Sequence, residues 1–500
     1  MTAKRYAAVD LGAESGRVMV GSLDGERIEL REVYRFANAP VRTPDGAHWD
    51  ALRIYSESLN GLRAAVSGGR AGSLDGIGVD SWGVDYGLLD EGGRLLGNPY
   101  TYRDARTDGM PERAASRVPA DEQYARTGIA QLQINSLYQL MASVQSGDRS
   151  LELARFLLMM PDLMHYWLSG ERAVERTNAS TTGMLDVEGA WATDILRRLD
   201  VPTHMLLPPV PAGTVLGALR RGVGEECGLG PVPVILPPTH DTAGAVLAVP
   251  FRRSAARGGV EASHAYISSG TWSLLGLELD RPVLGEEARL AGFTNEHGFG
   301  GTYRFLTNIM GLWLVQECRR SWEREGQRWS YDDLTAAAAG IPSPHVVLDV
   351  DDPAFLHPAD MPTAIVRQLS SAGRGTEYDR GALVRIILEG LALKYRIALA
   401  RAERLAGARV ETVHIVGGGA RNSLLCRLTA DACERQVVAG PIEATAMGNI
   451  LVQAIGAGEV RSVAEARALI LASTKTRVYE PGGDTDWAER QEELLLMRAR

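Results

Sequence analysis

The sequence predicts an α/β protein made of two similar halves. Three observations point there. Residues 6–20, YAAVDLGAESGRVMV, read as strand, tight turn, strand. Residues 265–279, AYISSGTWSLLGLEL, repeat that design in the second half of the chain. From residue 412 to 456, strand and helix patterns alternate as in a parallel α/β layer.

The first hairpin carries Asp10 at the end of its leading strand, then Gly12, Glu14, Ser15, Gly16 and Arg17. Glycines admit close approach to backbone N–H groups, and successive amides in a turn form an anion nest. Asp10 is placed to hold a divalent cation beside such an anion. Taken alone, the pattern equally fits an ordinary β-turn with a surface carboxylate. The Ser268-Ser269-Gly270-Thr271 turn favours the first reading, because two phosphate hairpins, one per half, suit a duplicated nucleotide-binding core.

The elements between follow in order. Residues 28–36 read as a further strand pair. Residues 51–67 read as a helix with apolar spacing at Leu52, Tyr55, Leu59 and Leu62. Residues 77–90, IGVDSWGVDYGLLD, alternate strand and turn and bring Asp80, Trp82 and Asp85 close together, with TYRDART just beyond. Carboxylates, arginines and an indole suit a polyhydroxylated ligand; the plainer alternative is a turn-rich sheet edge with surface charges. Residues 120–170 read as mainly helical, with the methionines of LLMMPDLMHYW as core filler. TNASTTGM, 177–184, reads as a hydroxyl-rich loop.

A strand ends at Pro237-Pro238, and Thr239-His240-Asp241-Thr242 precedes a small-residue helix over 243–248. Asp241 at that position serves as a helix cap or as a carboxylate that the helix dipole keeps ionised, poised to accept a proton from a hydroxyl. His240 is a second polar contact or a packed side chain. Residues 251–264, FRRSAARGGVEASH, lack periodicity and mark a domain junction. Residues 305–322 read as an amphipathic helix starting near Thr307-Asn308, with Gln316 as a polar exception that faces solvent or a ligand. A smaller helical excursion reaches Met361, a long helix spans 381–405, and then come strand 412–416, Gly417-Gly418-Gly419, helix 422–434, strand 436–439 and helix 444–456. The tail beyond Tyr479 reads as a polar surface helix.

Composition narrows the function. Of 500 residues, 45% are apolar and 23% charged, as in globular chains with ample core. A net charge of −9 argues against a nucleic-acid partner. No apolar run is long enough for a membrane span, and MTAKRYAAVDLG enters the first strand with no signal-peptide pattern, so a cytoplasmic enzyme is expected. Cys227, Cys318, Cys426 and Cys433 are scattered and imply neither zinc nor a disulfide framework. Lysine occurs only at Lys4, Lys394 and Lys475, and no GxxxxGK[ST] is present, so phosphate binding rests on backbone amides, hydroxyls, arginine and a metal. GGGARN is not GxGxxG, so no dinucleotide fingerprint is implied.

The two hairpins and the glycine run resemble the actin, Hsp70 and sugar-kinase fold. VDLGAESGR, GVDSWGVDYGLLD, YRDART, MPD, THDTAGAV, SSGTWSL, NIMGLW, HIVGGGARN and AGPIEATAMGN, in this order from Val9 to about Val463, are similar to the FGGY carbohydrate kinase family on its rhamnulokinase branch. The resemblance implies two ribonuclease H-like α/β domains, 1–250 and 265–480, joined by 251–264 and followed by a tail, 481–500, with an ATP and sugar cleft between the domains. It implies ATP- and Mg2+-dependent phosphorylation of L-rhamnulose at O1, by a monomer or weak homo-oligomer. By similarity Asp241 is the catalytic base. Ala13, Glu14, Ser15, Gly16, Arg17, Thr271, Gln316 and Gly418 match the ATP contacts. Gly83, His240, Asp241, Thr242 and Asn308 match the sugar site, and Asp10 matches the carboxylate that organises the metal. Alternatives are a kinase of L-fuculose, D-xylulose or a polyol, and a scaffold ATPase of the actin or Hsp70 kind. Two departures stand out: the junction is long, and Glu14 puts an acid beside the expected triphosphate.

Overall fold

The computed structural model describes residues 3–67, 74–251, 263–356, 358–483 and 486–498. Most of the expected junction, residues 252–262, lies outside the described residues. The chain divides into two units. One comprises Met1–Arg253, Glu278–Phe305 and Ala444–Thr474; the other Ser254–Leu277, Leu306–Glu443 and Lys475–Arg500.

The first unit is built on a sheet of β1 (Lys4–Leu11), β2 (Ser15–Leu23), β3 (Ile28–Ala37), β4 (Gly76–Ser81), β5 (Val215–Ala218) and β6 (Pro233–Ile235), in the order β5-β6-β4-β1-β2-β3. β1 and β2 form the expected antiparallel hairpin, while β1 and β6 both run parallel to β4. Residues 28–37 form one long strand rather than the expected pair, because β2 supplies a partner along its whole length. Gly61 of helix Ala51–Ser67 lies over Val18, and Gly21 lies over Ile450 of helix Ala444–Gly456. Residues 18 and 21 point to opposite faces of a strand, so helices cover the sheet on both sides. Helix Ala51–Ser67 buries Ile54, Leu59, Leu62 and Ala65, while Leu52, expected on the apolar stripe, is 64% exposed.

Helix Asp241–Leu247 crosses helix Ala444–Gly456 at two glycines. A Cβ on Gly448 would lie 2.0 Å from the Gly244 carbonyl oxygen. This contact, rather than propensity, explains the small-residue composition of both helices. Within the region expected to be mainly helical, Phe156–Met159 is a strand paired antiparallel with Tyr86–Leu89, and helix Met160–Ser169 follows. Met159, Met160 and Met164 are fully buried, as core filler should be. Residues 177–182 are not an exposed loop: they form two short helical turns buried throughout, with Glu175 capping the first.

The second unit repeats the plan. β7 (His264–Ser269), β8 (Trp272–Leu279), β9 (Tyr303–Met310), β10 (Thr412–Val416), β11 (Gln436–Ala439) and β12 (Arg477–Tyr479) lie in the order β9-β8-β7-β10-β11-β12, the last two residues of β8 and the first three of β9 being counted with the first unit. As in the first unit, the leading strand of an antiparallel hairpin pairs parallel with a later strand, here β7 with β10. Helix Arg380–Ala406, capped by Asp379 and ended by the left-handed Gly407, packs along helix Ser423–Cys433.

Two expectations are corrected here. Residues 305–310 are strand β9, and the helix begins only at Trp313, so Asn308 is a strand residue. The run is buried on both faces, which erases the alternation that would have marked it as a strand. The C-terminal helix, Trp487–Arg498, is not purely a surface element. It buries Trp487, Arg490 and Leu494, and Arg490 donates to Glu389 Oε2 at 2.8 Å and to Ser343 Oγ at 2.7 Å. All four cysteines are free and buried, and no described helix is long and apolar enough to cross a membrane.

Candidate active site

In the first unit, β1 and β2 place Asp10 and Arg17 directly opposite each other. Arg17 donates through Nε at 2.9 Å, and its Nη2 lies 2.7 Å away, both on Asp10 Oδ2. The turn between them is tied by Gly12 N–H to the Ser15 carbonyl at 2.9 Å. Asn38 anchors it from outside: its side chain donates to the Gly12 carbonyl and its backbone N–H to the Glu14 carbonyl, each at 2.9 Å. Ala13, Glu14 and Ser15 therefore sit on a braced turn. Gly16 is required by packing, since a Cβ there would lie 2.2 Å from the Phe36 ring.

Parallel pairing of β1 with β4 makes Asp80 the neighbour of Asp10. The row continues, because Ser81 N–H donates to the Thr239 carbonyl at 2.9 Å and carries THDT into line with the strand ends. Asp10, Asp80 and Asp241 thus gather at the carboxyl edge of parallel strands, where open α/β sheets bind ligands. Burial first, then the Asp10 charge, pushes Asp80 well above the usual carboxylate range; the hydrogen bond from Asn449, 2.5 Å, opposes this. Asp241 keeps 35% of its side chain exposed. Its carboxyl is also raised, by burial, with His240 opposing and Asp10 adding. Asp241 is the first residue of its helix and His240 the cap, so the capping reading of Asp241 does not hold. Its Oδ1 instead accepts from Thr242 N–H at 2.5 Å and Thr242 Oγ1 at 3.1 Å. Glu175, fully buried, accepts from both Thr239 N–H and Oγ1 at 3.0 Å and fixes the loop from beneath.

The SWGVD turn behaves differently from its expected role. Trp82 and Asp85 do meet, but Asp80 turns to Asn449 instead. Asp85 is buried and accepts from Trp49 Nε1 at 2.6 Å, Trp82 Nε1 at 2.9 Å, Tyr102 N–H at 3.1 Å and Gln139 at 2.9 Å. Burial raises its carboxyl to about 6 against the pull of those donors. Three of these donors meet Oδ2 and one meets Oδ1. Arg106 is likewise engaged, with Gln139 and Ser143. Val84, between Gly83 and Asp85, has φ of 68°, a strained conformation for a β-branched residue. Gly83 packs on Thr181, whose Oγ1 would lie 2.8 Å from an added Cβ.

In the second unit, the β7–β8 turn lies between two other segments. Gly311 and Trp313 N–H groups donate to the Thr271 carbonyl at 3.2 and 3.1 Å, and Leu312 N–H donates to Gly270 at 3.0 Å. On the other side, a Cβ at Gly419 would fall 2.0 Å from Ser269 Oγ. Thr271 and Gly418, expected at a nucleotide, thus belong to one neighbourhood, with Gly418 itself exposed. Gln316 lies on helix Trp313–Arg324, and its side-chain oxygen is buried with no hydrogen-bond partner among the described residues.

Residues 5–248 and 265–457 match the N- and C-terminal domains of the FGGY family of carbohydrate kinases. A Bacteroides thetaiotaomicron protein named Rhamnulokinase is 39% identical over 485 residues, covering 97% of either chain. A Pectobacterium carotovorum subsp. carotovorum protein of the same name is 38% identical over 494 residues, 98% of this chain and 95% of that one. This chain belongs to the FGGY family of carbohydrate kinases. A Lactobacillus acidophilus xylulose kinase structure shares the FGGY fold, with TM-score 0.79 at 14% identity over 99% of this chain and 97% of that one. Plasmodium falciparum glycerol kinase with ADP does so with TM-score 0.77 at 15% identity over 100% and 97%.

Within this FGGY kinase the two matched halves are contiguous in sequence, whereas packing interleaves them: Glu278–Phe305 and Ala444–Thr474 belong with the first unit. That interleaving supplies residues the local sequence did not mark. Asn449 reaches Asp80, and Glu296 and Arg304 reach His240. Asn38 and Glu175 lie within the first contiguous segment and were missed for another reason: neither lies in a motif or a periodic stripe. An Asn just past a long strand and a lone acid before a hydroxyl run were the available signals.

Proposed function

We propose that this FGGY kinase transfers the γ-phosphoryl group of ATP to O1 of L-rhamnulose, giving L-rhamnulose 1-phosphate and ADP. The similarity along nearly the whole chain to relatives named Rhamnulokinase carries the choice of sugar. The geometry supports the chemistry: Asp241 stands at a strand-end carboxylate row, part exposed, oriented by Thr242 and neighboured by His240. Asp241 orients the O1 hydroxyl and takes its proton as the O–P bond forms. Phosphoryl transfer asks mainly for positioning and charge neutralisation, and a base of this kind contributes about 10²–10⁴-fold.

In this reading Ala13 to Arg17 and Thr271 meet the phosphates, Gln316 and Gly418 the nucleoside, and Gly83, His240, Thr242 and Asn308 the sugar. The division into 1–250, 251–264, 265–480 and 481–500 belongs to the same reading. Among the described residues, no three His, Cys, Asp or Glu side chains are grouped to hold a metal ion. The nucleotide's Mg2+ needs only one or two protein carboxylates beside the phosphates. Asp10 fits that demand, because both Arg17 contacts fall on Oδ2 and neither on Oδ1. When bound, Mg2+ supplies neutralising charge on the phosphates.

The test is a coupled ADP-release assay with L-rhamnulose, L-fuculose, D-xylulose, glycerol and no sugar, on wild type and Asp241→Asn. The expected result is a clear preference for L-rhamnulose and a kcat about 10²–10⁴-fold lower in the variant. Preference for another ketose overturns the substrate. Sugar-independent hydrolysis unaffected by the substitution overturns the mechanism.

A further inference from the structure

Three side chains of the first unit meet behind the proposed base. His240 Nδ1 lies 3.2 Å from Glu296 Oε2 and 3.0 Å from Arg304 Nη2, and these two are themselves 2.8 Å apart. Arg304 is fully buried, Glu296 and His240 nearly so, each 7% exposed. The opposite ring nitrogen, Nε2, points to Asp241 Oδ1 at 3.5 Å. Glu296 comes from strand Thr294–His297 and Arg304 from β9, and the Arg304 Nε–H donates to the His297 carbonyl at 3.3 Å. The two side chains therefore come from neighbouring strands, and the Arg304 guanidinium is held by the backbone next to Glu296.

Donor and acceptor capacities restrict what the imidazole can do. A guanidinium only donates and an ionised carboxylate only accepts. The Nδ1 lone pair faces the Arg304 Nη2 donor at 3.0 Å, while Glu296 Oε2, 3.2 Å from the same nitrogen, makes no hydrogen bond with the ring and pairs with the guanidinium at 2.8 Å. Nδ1 is thereby satisfied as an acceptor. At Nε2 the facing group, the Asp241 carboxylate, is itself an acceptor. A lone pair there would oppose that charge, whereas an N–H complements it. The Arg304 guanidinium and His240 also hold the Glu296 carboxyl below its usual range, although burial works against them, so Glu296 stays ionised.

We propose that Glu296 and Arg304 are positioning residues that keep His240 protonated at Nε2, a standing donor beside Asp241 and the reacting hydroxyl. This rests on the reading of Asp241 as the base. With Arg304 donating to Nδ1, the ring carries its N–H at Nε2, toward Asp241. Glu296 in turn holds the guanidinium that makes this donation, at 2.8 Å.

The test uses the full-length protein labelled with 15N-histidine. Two-bond 1H–15N spectra at neutral pH, assigned by comparison with His240→Gln, report the protonation of each ring nitrogen directly. Wild type is expected to show Nε2 protonated. The charge-neutral pair Glu296→Gln with Arg304→Met is expected to give a mixed tautomer population. It is also expected to lower kcat about 10-fold or more while the KM for ATP stays within about twofold, with Arg304→Lys recovering part of the loss. A merely structural role would lower stability without moving the tautomer. A wild-type ring protonated only at Nδ1 overturns the proposal, as does a double variant with an unchanged His240 spectrum; if that variant does not fold, the wild-type spectrum alone decides. Full activity in Asp241→Asn, by contrast, removes the base reading while leaving the tautomer result standing.

Discussion

Asn449 and Asp80 lie 369 residues apart and meet through a 2.5 Å hydrogen bond from the amide to Oδ2. Gln453 extends the contact, donating to Asn449 Oδ1 at 2.6 Å and to the Ala7 carbonyl at 3.0 Å. An amide chain on one helix thereby satisfies polar groups of β1 and β4 directly beneath the carboxylate row. Asn449→Leu leaves Asp80 without this donor in a fully buried site. The expected cost is about 1–3 kcal/mol, read as a lower unfolding midpoint, together with a fall in kcat. An unchanged midpoint would refute the staple.

Gly448→Ala tests the helix crossing. The added methyl, 2.0 Å from the Gly244 carbonyl, must push helix Asp241–Leu247 away. Overpacking of this kind costs about 1–3 kcal/mol. Because Asp241 opens that helix, kcat is expected to fall more than the midpoint alone would explain at assay temperature. Steady-state kinetics with the folded fraction measured in parallel decide this.

Gly16→Ala separates packing from ligand approach at the first hairpin. If Phe36 sets the requirement, Gly16→Ala loses about 1–3 kcal/mol and recovers much of it in the background of Phe36→Ala. Unfolding midpoints of the four proteins in this cycle give the coupling. Strict additivity would assign the glycine to ligand contact instead.

Asp85→Asn replaces an acceptor of four hydrogen bonds by a group that accepts at one end only. Loss of bonds to a charged acceptor costs about 1.5–3 kcal/mol. The Trp49 and Trp82 rings lie 4.3 Å apart, tilted by 42°, around this carboxylate, so the near-ultraviolet dichroism is expected to change with the midpoint. A silent spectrum would show that the indoles keep their places without it.

His165 sets part of the acid limit of stability. Val79 N–H donates to its Nε2 at 2.9 Å, and burial lowers the ring from its ordinary 6.5 to about 3. A lowered folded value means that the contribution is fully present above pH 6.5 and is lost as the pH falls toward about 3. In His165→Gln, which retains an acceptor, the fall in midpoint between those limits is expected to be shallower than in wild type. Parallel curves for the two proteins would refute the assignment.

Both hairpins, the strand leading to Gly417-Gly418-Gly419, the long helix Arg380–Ala406 and the helix that Asp241 opens were legible as local patterns. Each declares itself within about a dozen residues, through apolar periodicity and turn glycines. Strand β9 was not legible: residues 305–310 are largely covered on both faces, so they lack a strict apolar alternation, and Thr307-Asn308 imitates a helix start. Asp85 misled for a related reason. Its motif marks a polar cluster, but only the fold reveals that Trp49 and Gln139 arrive from outside to occupy it. The same holds for Asn38 at the first turn, Glu175 under Thr239, Asn449 at Asp80, and Glu296 with Arg304 behind His240. Sequence by itself determined the fold family, the hairpins and the carboxylate proposed as the base. Tertiary structure decided which groups surround that base, because hydrogen bonds between residues far apart in the chain leave no periodic trace along it.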